Sequence, residues 1–242
     1  MINFNIEELL NSCLNKETVV LPIHFLTVFL LTCSLLLPFP AWGAPTPEEV
    51  VTRVQAQYDQ AGGFKARFRQ ESRLRAAGQG EKAEGLLYFQ KPCRMRWQYE
   101  SPPEQKKEIV ADGREVWMFI PQDAVVMVYP MNQVMRSDLV MRFFSGMGDL
   151  SKDFRISWNR PPDSGGNYVV DLFPKKSEPE LKRLTLHINP GNYQLERLEF
   201  ANALGEETRF AFSQMQLNLQ LDPGLFRFTP PPGVQVVREG RG

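Results

Sequence analysis

Nucleophilic catalysis needs a base beside the nucleophile, and this sequence offers two imidazoles for that task, His24 and His187. His24 falls in an apolar run near the N-terminus, VVLPIHFLTVFLLTCSLLL, which is followed by PFPAWG and then APTPEE. An apolar run that ends in a turn-prone stretch, with small residues three and one before the cut, has the anatomy of a secretory signal. Ala41 and Gly43 fill those two places, so residues 1–43 read as a signal peptide cleaved before Ala44, with 44–242 as one exported domain. The alternative is an uncleaved anchor, because Glu7, Glu8 and Glu17 outnumber Lys16 ahead of the run. With the leader go His24, Cys13 and Cys33, leaving His187 and Cys93. One imidazole and one thiol cannot build a Ser-His-Asp or Cys-His constellation, a histidine-rich metal site or an internal disulfide. His187 itself lies in the alternating run Leu184–Ile188, on the side expected to face water. Asp112, Glu115, Asp138 and Asp149 are scattered without a histidine or a metal-ligand spacing nearby, and no P-loop or Rossmann glycine pattern occurs. The 28 basic and 28 acidic residues cancel, which argues against a nucleic-acid partner. The reading is a protein that is not an enzyme and carries no metal or cofactor.

If the chemistry is not catalytic, the elements must say what it is. Thr46-Pro47-Glu48-Glu49 is a helix start with a capping box, and Val50, Val51, Val54, Tyr58 and Ala61 recur at helical spacing up to Gly62-Gly63. The period then changes. Phe64 to Arg75 alternates charged with apolar or small residues, as a strand with one wet face does. Similar runs follow at 85–90, 94–99, 107–111, 116–120, 124–129, 154–158, 168–173, 181–189, 193–200 and 207–221, with a short one at Phe226–Phe228. Turn chemistry joins them, as in Asp112-Gly113 and Asn189-Pro190-Gly191-Asn192. About eleven or twelve antiparallel strands with short turns predict a mainly β (α+β) domain in which the meander curls into an incomplete barrel. A second apolar helix is expected over 137–146, where Leu139, Val140, Phe143 and Phe144 share a face. Periodicity alone allows it to be a core plug or a cover.

Strands such as Val116-Trp117-Met118-Phe119-Ile120 and Leu86-Leu87-Tyr88-Phe89 are apolar on both faces, yet two helices cannot cover both sides of so large a sheet. A curled sheet lined by Trp97, Trp117, Met95 and Met118 either fills itself or holds an apolar guest. Composition does not separate those two outcomes.

Three segments, taken in order, resemble the LolA family of periplasmic lipoprotein carriers. They are Phe64-Lys-Ala-Arg-Phe-Arg-Gln70; Gly85-Leu-Leu-Tyr-Phe-Gln-Lys-Pro92 with Arg96-Trp97, Pro102, Ile109-Val-Ala-Asp-Gly113 and Val116-Trp117; and Phe226-Arg-Phe-Thr-Pro-Pro-Pro-Gly-Val234. The resemblance implies an incomplete antiparallel β-barrel with a small helical lid over an apolar cavity. It implies a monomeric carrier in the periplasm that binds the acyl chains of lipoproteins, receives them from an inner-membrane ABC exporter and passes them to an outer-membrane acceptor. Phe68, Leu87, Phe89, Met95, Trp97, Trp117 and Phe119 would line the cavity. Leu139, Val140, Phe143 and Phe144 would form the lid, with Lys91 standing where the family has the arginine that latches it. The same fold would also serve a membrane-tethered lipoprotein acceptor or a lipid-binding sensor.

Overall fold

The computed structural model describes residues 44–73, 80–137, 144, 150–159, 161–176 and 181–239. The expected leader 1–43 lies outside them, as do Leu139, Val140 and Phe143 of the expected second helix.

Helix α1 spans Pro47–Gln60. The Thr46 hydroxyl accepts from the Glu49 amide at 3.2 Å, and the Glu49 carboxylate accepts from the Thr46 amide at 2.9 Å, so two donors of the first turn are satisfied reciprocally. Its apolar stripe, Val50, Val51, Val54 and Tyr58, is buried. Burying each such side chain contributes about 1.5–3 kcal/mol, which holds a helix too short to persist alone.

The strands are β1 (Gly63–Arg73), β2 (Gly80–Gln90), β3 (Arg94–Ser101), β4 (Lys107–Ala111), β5 (Glu115–Ile120), β6 (Val125–Pro130), β7 (Phe154–Trp158), β8 (Tyr168–Pro174), β9 (Arg183–Ile188), β10 (Leu195–Ala201), β11 (Glu207–Leu217) and β12 (Gln235–Arg238). They form one sheet in the order β12-β6-β5-β4-β3-β2-β1-β11-β10-β9-β8-β7. The sheet is open, with β12 and β7 at its edges. Two meanders, β1–β6 and β7–β11, meet where β1 pairs with β11. The chain crosses from one to the other through a short helix, α2 (Met131–Ser137), and a helical turn at Leu150–Asp153.

Two expectations fail near the C-terminus. Phe226–Phe228 is not a strand; Pro223–Phe226 is a 3₁₀ turn capped by Asp222, whose carboxylate accepts from the Gly224 amide at 2.8 Å. The prolines that follow lack the N–H a ladder needs. The last strand is instead β12, and it runs parallel to β6. That exception to the antiparallel pattern also explains the strands that are apolar on both sides. Directly paired residues share a face, so Val110, Trp117 and Val128 lie in one row, and Phe119 and Val126 in the next. Phe228 packs on Trp117 and Phe119 with ring centroids 5.8 and 5.9 Å away, and Arg238 lies 5.1 Å over the Trp117 ring. Arg96 donates to the Leu225 carbonyl at 2.8 Å and ties the segment down. The chain's own C-terminal segment is therefore the second cover that the two helices do not provide.

On the other face lies the main core, built from rows such as Phe64–Phe89–Met95–Ala111–Val116 and Ala66–Leu87–Trp97–Ile109–Met118. Gly85 is required here. A Cβ would sit 1.8 Å from the Gln98 carbonyl oxygen and 3.0 Å from the Phe68 ring, at the register shift between β2 and β3. Gly85→Ala is expected to lower stability by at least about 3 kcal/mol, the upper end of overpacking costs, because the obstacle is backbone. A urea midpoint unchanged from the parent would show that the β2–β3 pair has room to spread.

Candidate functional site

The core face of β1, β2, β3 and β11 is a continuous aromatic floor. Phe68 meets Trp97 edge-on at 4.7 Å, and Trp97 meets Phe210 at 5.3 Å. Phe64 stacks on Phe89 at 5.3 Å. Strand alternation sends every second side chain to this face, which is why charged Lys65, Arg67 and Arg69 separate Phe64, Ala66 and Phe68 in sequence but not in space. Of the expected cavity residues, Phe68, Leu87, Phe89, Met95 and Trp97 come together on this floor, all buried. Trp117 and Phe119 do not. They lie on the opposite face under Phe228, because they are one residue out of step with Val116 and Met118.

The floor has a polar rim. Past Phe68 the same face of β1 carries Gln70 and Ser72: Tyr99 donates to the Gln70 carbonyl oxygen at 2.8 Å, Gln70 donates to Ser72 at 3.0 Å, and Ser72 meets the Thr208 hydroxyl at 3.3 Å. Lys107 sits 4.5 Å over the Tyr99 ring, and burial holds its ammonium below the ordinary lysine range despite Glu81.

Three side chains hold α1 over the floor. Arg53 donates to the Tyr193 hydroxyl at 2.8 Å and lies 5.0 Å over its ring. The Tyr58 hydroxyl donates to Met215 Sδ at 2.9 Å and accepts from the Leu195 amide at 3.3 Å. Burial raises the Tyr58 phenol well above its usual range, against the opposing pull of that amide. Lys91, from the turn after β2, donates to the Asp59 carbonyl and lies 3.7 Å from the Asp59 carboxylate. A cation at the last turn of α1 complements the helix dipole. The lysine expected to act as a latch thus contacts α1, and its backbone amide donates to the Gly62 carbonyl at 3.0 Å.

Phe144 completes the arrangement. It is fully buried, with ring centroids 4.9 Å from Phe64, 5.5 Å from Tyr58, 5.6 Å from Phe212 and 6.5 Å from Phe89. One phenyl ring from the segment joining the two meanders occupies the centre of the floor. Sequence reasoning left Phe64, Phe210 and Phe212 out of the expected lining, although each lies on the same alternation as Phe68. Their signal was the period itself, continued across the β1–β11 pair.

Among the described residues no cluster of histidine, cysteine and carboxylate side chains has the arrangement of a metal site. The comparisons with known proteins agree with this architecture. A family profile described as outer membrane lipoprotein carrier protein LolA matches residues 59–229. The chain belongs to the LolA family. An outer-membrane lipoprotein carrier protein of Bordetella pertussis is 30% identical over 82% of this chain and 89% of its own length. One from Methylococcus capsulatus is 28% identical over 85% of this chain and 96% of its own. In fold, the chain is similar to an uncharacterized conserved protein from Thermus thermophilus, with a TM-score of 0.50 at 15% identity, covering 79% of this chain and 98% of that one. The matched span of the family profile contains the whole aromatic floor, Lys91 and Phe144.

Tyr58→Phe removes the hydroxyl that satisfies the buried Leu195 amide. The expected loss is about 1–3 kcal/mol of unfolding free energy. An unchanged denaturation midpoint would mean that the Tyr58 hydroxyl adds nothing to the hold on α1.

Proposed function

We propose that this protein is a periplasmic carrier that shields the acyl chains of lipoproteins on the floor beneath α1, taking them from an inner-membrane ABC exporter and handing them to an outer-membrane acceptor as a monomer. The observation that carries this reading is Phe144, a side chain from a connecting segment seated among Phe64, Phe89, Phe212 and Tyr58. Family membership supports the cargo class.

The energetics favour exchange. Each buried methylene contributes about 0.8 kcal/mol, so a sixteen-carbon chain leaving water gains about 12 kcal/mol, whereas re-exposing one phenylalanine costs about 1.5–3 kcal/mol. Phe144 therefore keeps the empty face dry and yields to cargo. The cost of moving it, and of loosening α1, lowers the net affinity, so that an acceptor without such a cost can take the cargo. Tyr99, Gln70, Ser72 and Thr208 place hydrogen-bonding groups where an amphiphile's polar end would emerge. Lys91 stabilises the closed state through Asp59. That pair is partly exposed and worth about 0–1 kcal/mol, a bias and not a lock.

Purified protein is expected to bind a diacylated lipopeptide one-to-one, and the deacylated peptide should not compete. Equal competition by the deacylated form would remove the carrier reading. Trp97→Glu should abolish binding with the circular dichroism spectrum retained, and Phe144→Ala should tighten it. Lys91→Leu should raise lipopeptide affinity by up to about fivefold, the equivalent of 1 kcal/mol, and slow transfer to acceptor vesicles. Affinity and transfer rates equal to the parent's would take Lys91 out of the gate.

A further inference from the structure

On the face turned away from the aromatic floor, the second meander carries a charged cluster that the carrier role does not use. His187 of β9 is buried, only 7% exposed, although the alternation of its strand places it on the side expected to meet water. What covers it is charge. Its Nδ1 lies 2.8 Å from Asp163 Oδ2 and its Nε2 3.3 Å from Glu199 Oε1. A carboxylate only accepts, and a neutral imidazole has one N–H to give. Two carboxylates on two ring nitrogens therefore call for an imidazolium, with both nitrogens donating.

The cluster ties three elements together. Asp163 belongs to the connection between β7 and β8, and it also accepts from the Gly165 amide at 2.9 Å and the Asn167 amide at 3.0 Å. The Asn167 side chain donates to Asp163 and, at 2.9 Å, to Glu196. Glu199 of β10 also faces Arg209 of β11 at 3.3 Å and Arg197 of its own strand at 3.7 Å. Arg209 has a second partner in Glu207, and Asp171 of β8 is engaged by Thr185 and Arg183 of β9. His187 of β9 stands between the 161–167 turn and β10, with Nδ1 on Asp163 and Nε2 towards Glu199.

We propose that His187 is a protonation-dependent clasp: as an imidazolium it fastens the 161–167 turn to β9 and β10, and its deprotonation as pH rises weakens the hold on that turn and loosens the β7–β8 edge of the sheet, where α1 packs on β7. Burial by itself would lower the imidazole's affinity for its proton, as would Arg197, but the hydrogen bonds to Glu199 and Asp163 outweigh both and raise it above the ordinary value. Asp163 is opposed by burial but is held down to about 2 by His187 and by the donors of its own turn. Glu199 is lowered first by His187. The signs follow. The histidine's contribution is complete below the ordinary imidazole value and is lost as pH rises through its raised folded value. The carboxylates' contribution is present above the ordinary carboxylate range and is lost towards about pH 2 for Asp163. Between those limits all three charges are on and the clasp is closed.

The full chain holds two histidines, so proton NMR of the imidazole C2 protons, with His187→Gln as the assignment control, reads the clasp directly. The His187 signal is expected to titrate with a midpoint above the ordinary imidazole value of about 6.5. Over the same interval the Gly165 and Asn167 amides should lose about tenfold in exchange protection after correction for the intrinsic rise with pH. The melting temperature should fall across that interval in the parent and stay level in His187→Gln. A midpoint at or below the ordinary value, amide protection that does not change, or a parent-like fall in the variant would each overturn the proposal. Should His187→Gln not fold, Asp163→Asn serves instead. It should lower the His187 midpoint, and an unmoved midpoint would equally overturn the clasp.

Discussion

A sheet with one aromatic face, whose β1 alternates apolar with charged residues, must keep that face out of water, and among the described residues that duty falls on a fourteen-residue helix and one inserted ring. The rest of the molecule is arranged around this constraint. Val50, Val51, Val54 and Tyr58 give α1 its grip; Arg53 fixes its middle, and Tyr58 and Lys91 its C-terminal end; Phe144 packs beside Tyr58. Each fastening is modest. A buried phenol sharing one amide, a partly exposed lysine on a helix end and a surface arginine over a tyrosine are each worth about 1 kcal/mol. A cover built this way is firm in sum and yields piece by piece, as a reversible container for apolar cargo requires.

The opposite face solves the same problem permanently. Val110, Val126, Val128 and Phe226 are fully or almost fully buried there beneath the C-terminal segment, which Arg96 and Arg238 pin at two points. The contrast separates two kinds of apolar surface in one sheet. One is sealed by strand pairing and tilted aromatic contacts, and the other is closed, among the described residues, by α1 and the Phe144 ring.

Much of this was legible in the residues. The capping box at Thr46, the period-two runs and the turn dipeptides place α1 and most strands, and Phe68, Leu87, Phe89, Met95 and Trp97 fall on one face as alternation requires. Two things were not legible. Trp117 and Phe119 sit in a strand apolar on both sides, so composition carried no sign of which side met the floor; the register of β5 against β4 decides it, and register is a property of pairs. His187 alternates outward, as read, yet its exposure depends on Asp163, twenty-four residues away, and on Glu199 in the neighbouring strand. Local periodicity cannot report what a distant turn brings over a side chain. The C-terminal segment was hidden for the same reason: a strand of four residues that pairs in parallel with β6 leaves almost no pattern of its own.

The junction of β1 with β11 bears on how the molecule is made. Each meander is assembled from neighbours in sequence, but this junction joins residues such as Phe68 and Phe212, separated by most of the chain. Loop-closure entropy makes this the costliest of the sheet's pairings to form, since its partners lie far apart in the chain. Until it happens, each half shows an unsatisfied backbone edge flanked by phenylalanines, the kind of surface that captures stray strands. The stretch linking the halves carries Phe144, which touches both Phe64 and Phe212. The ring that plugs the finished floor is thus also placed to draw the two halves together at birth, and the protein's most vulnerable interval is the one before that ring finds its seat.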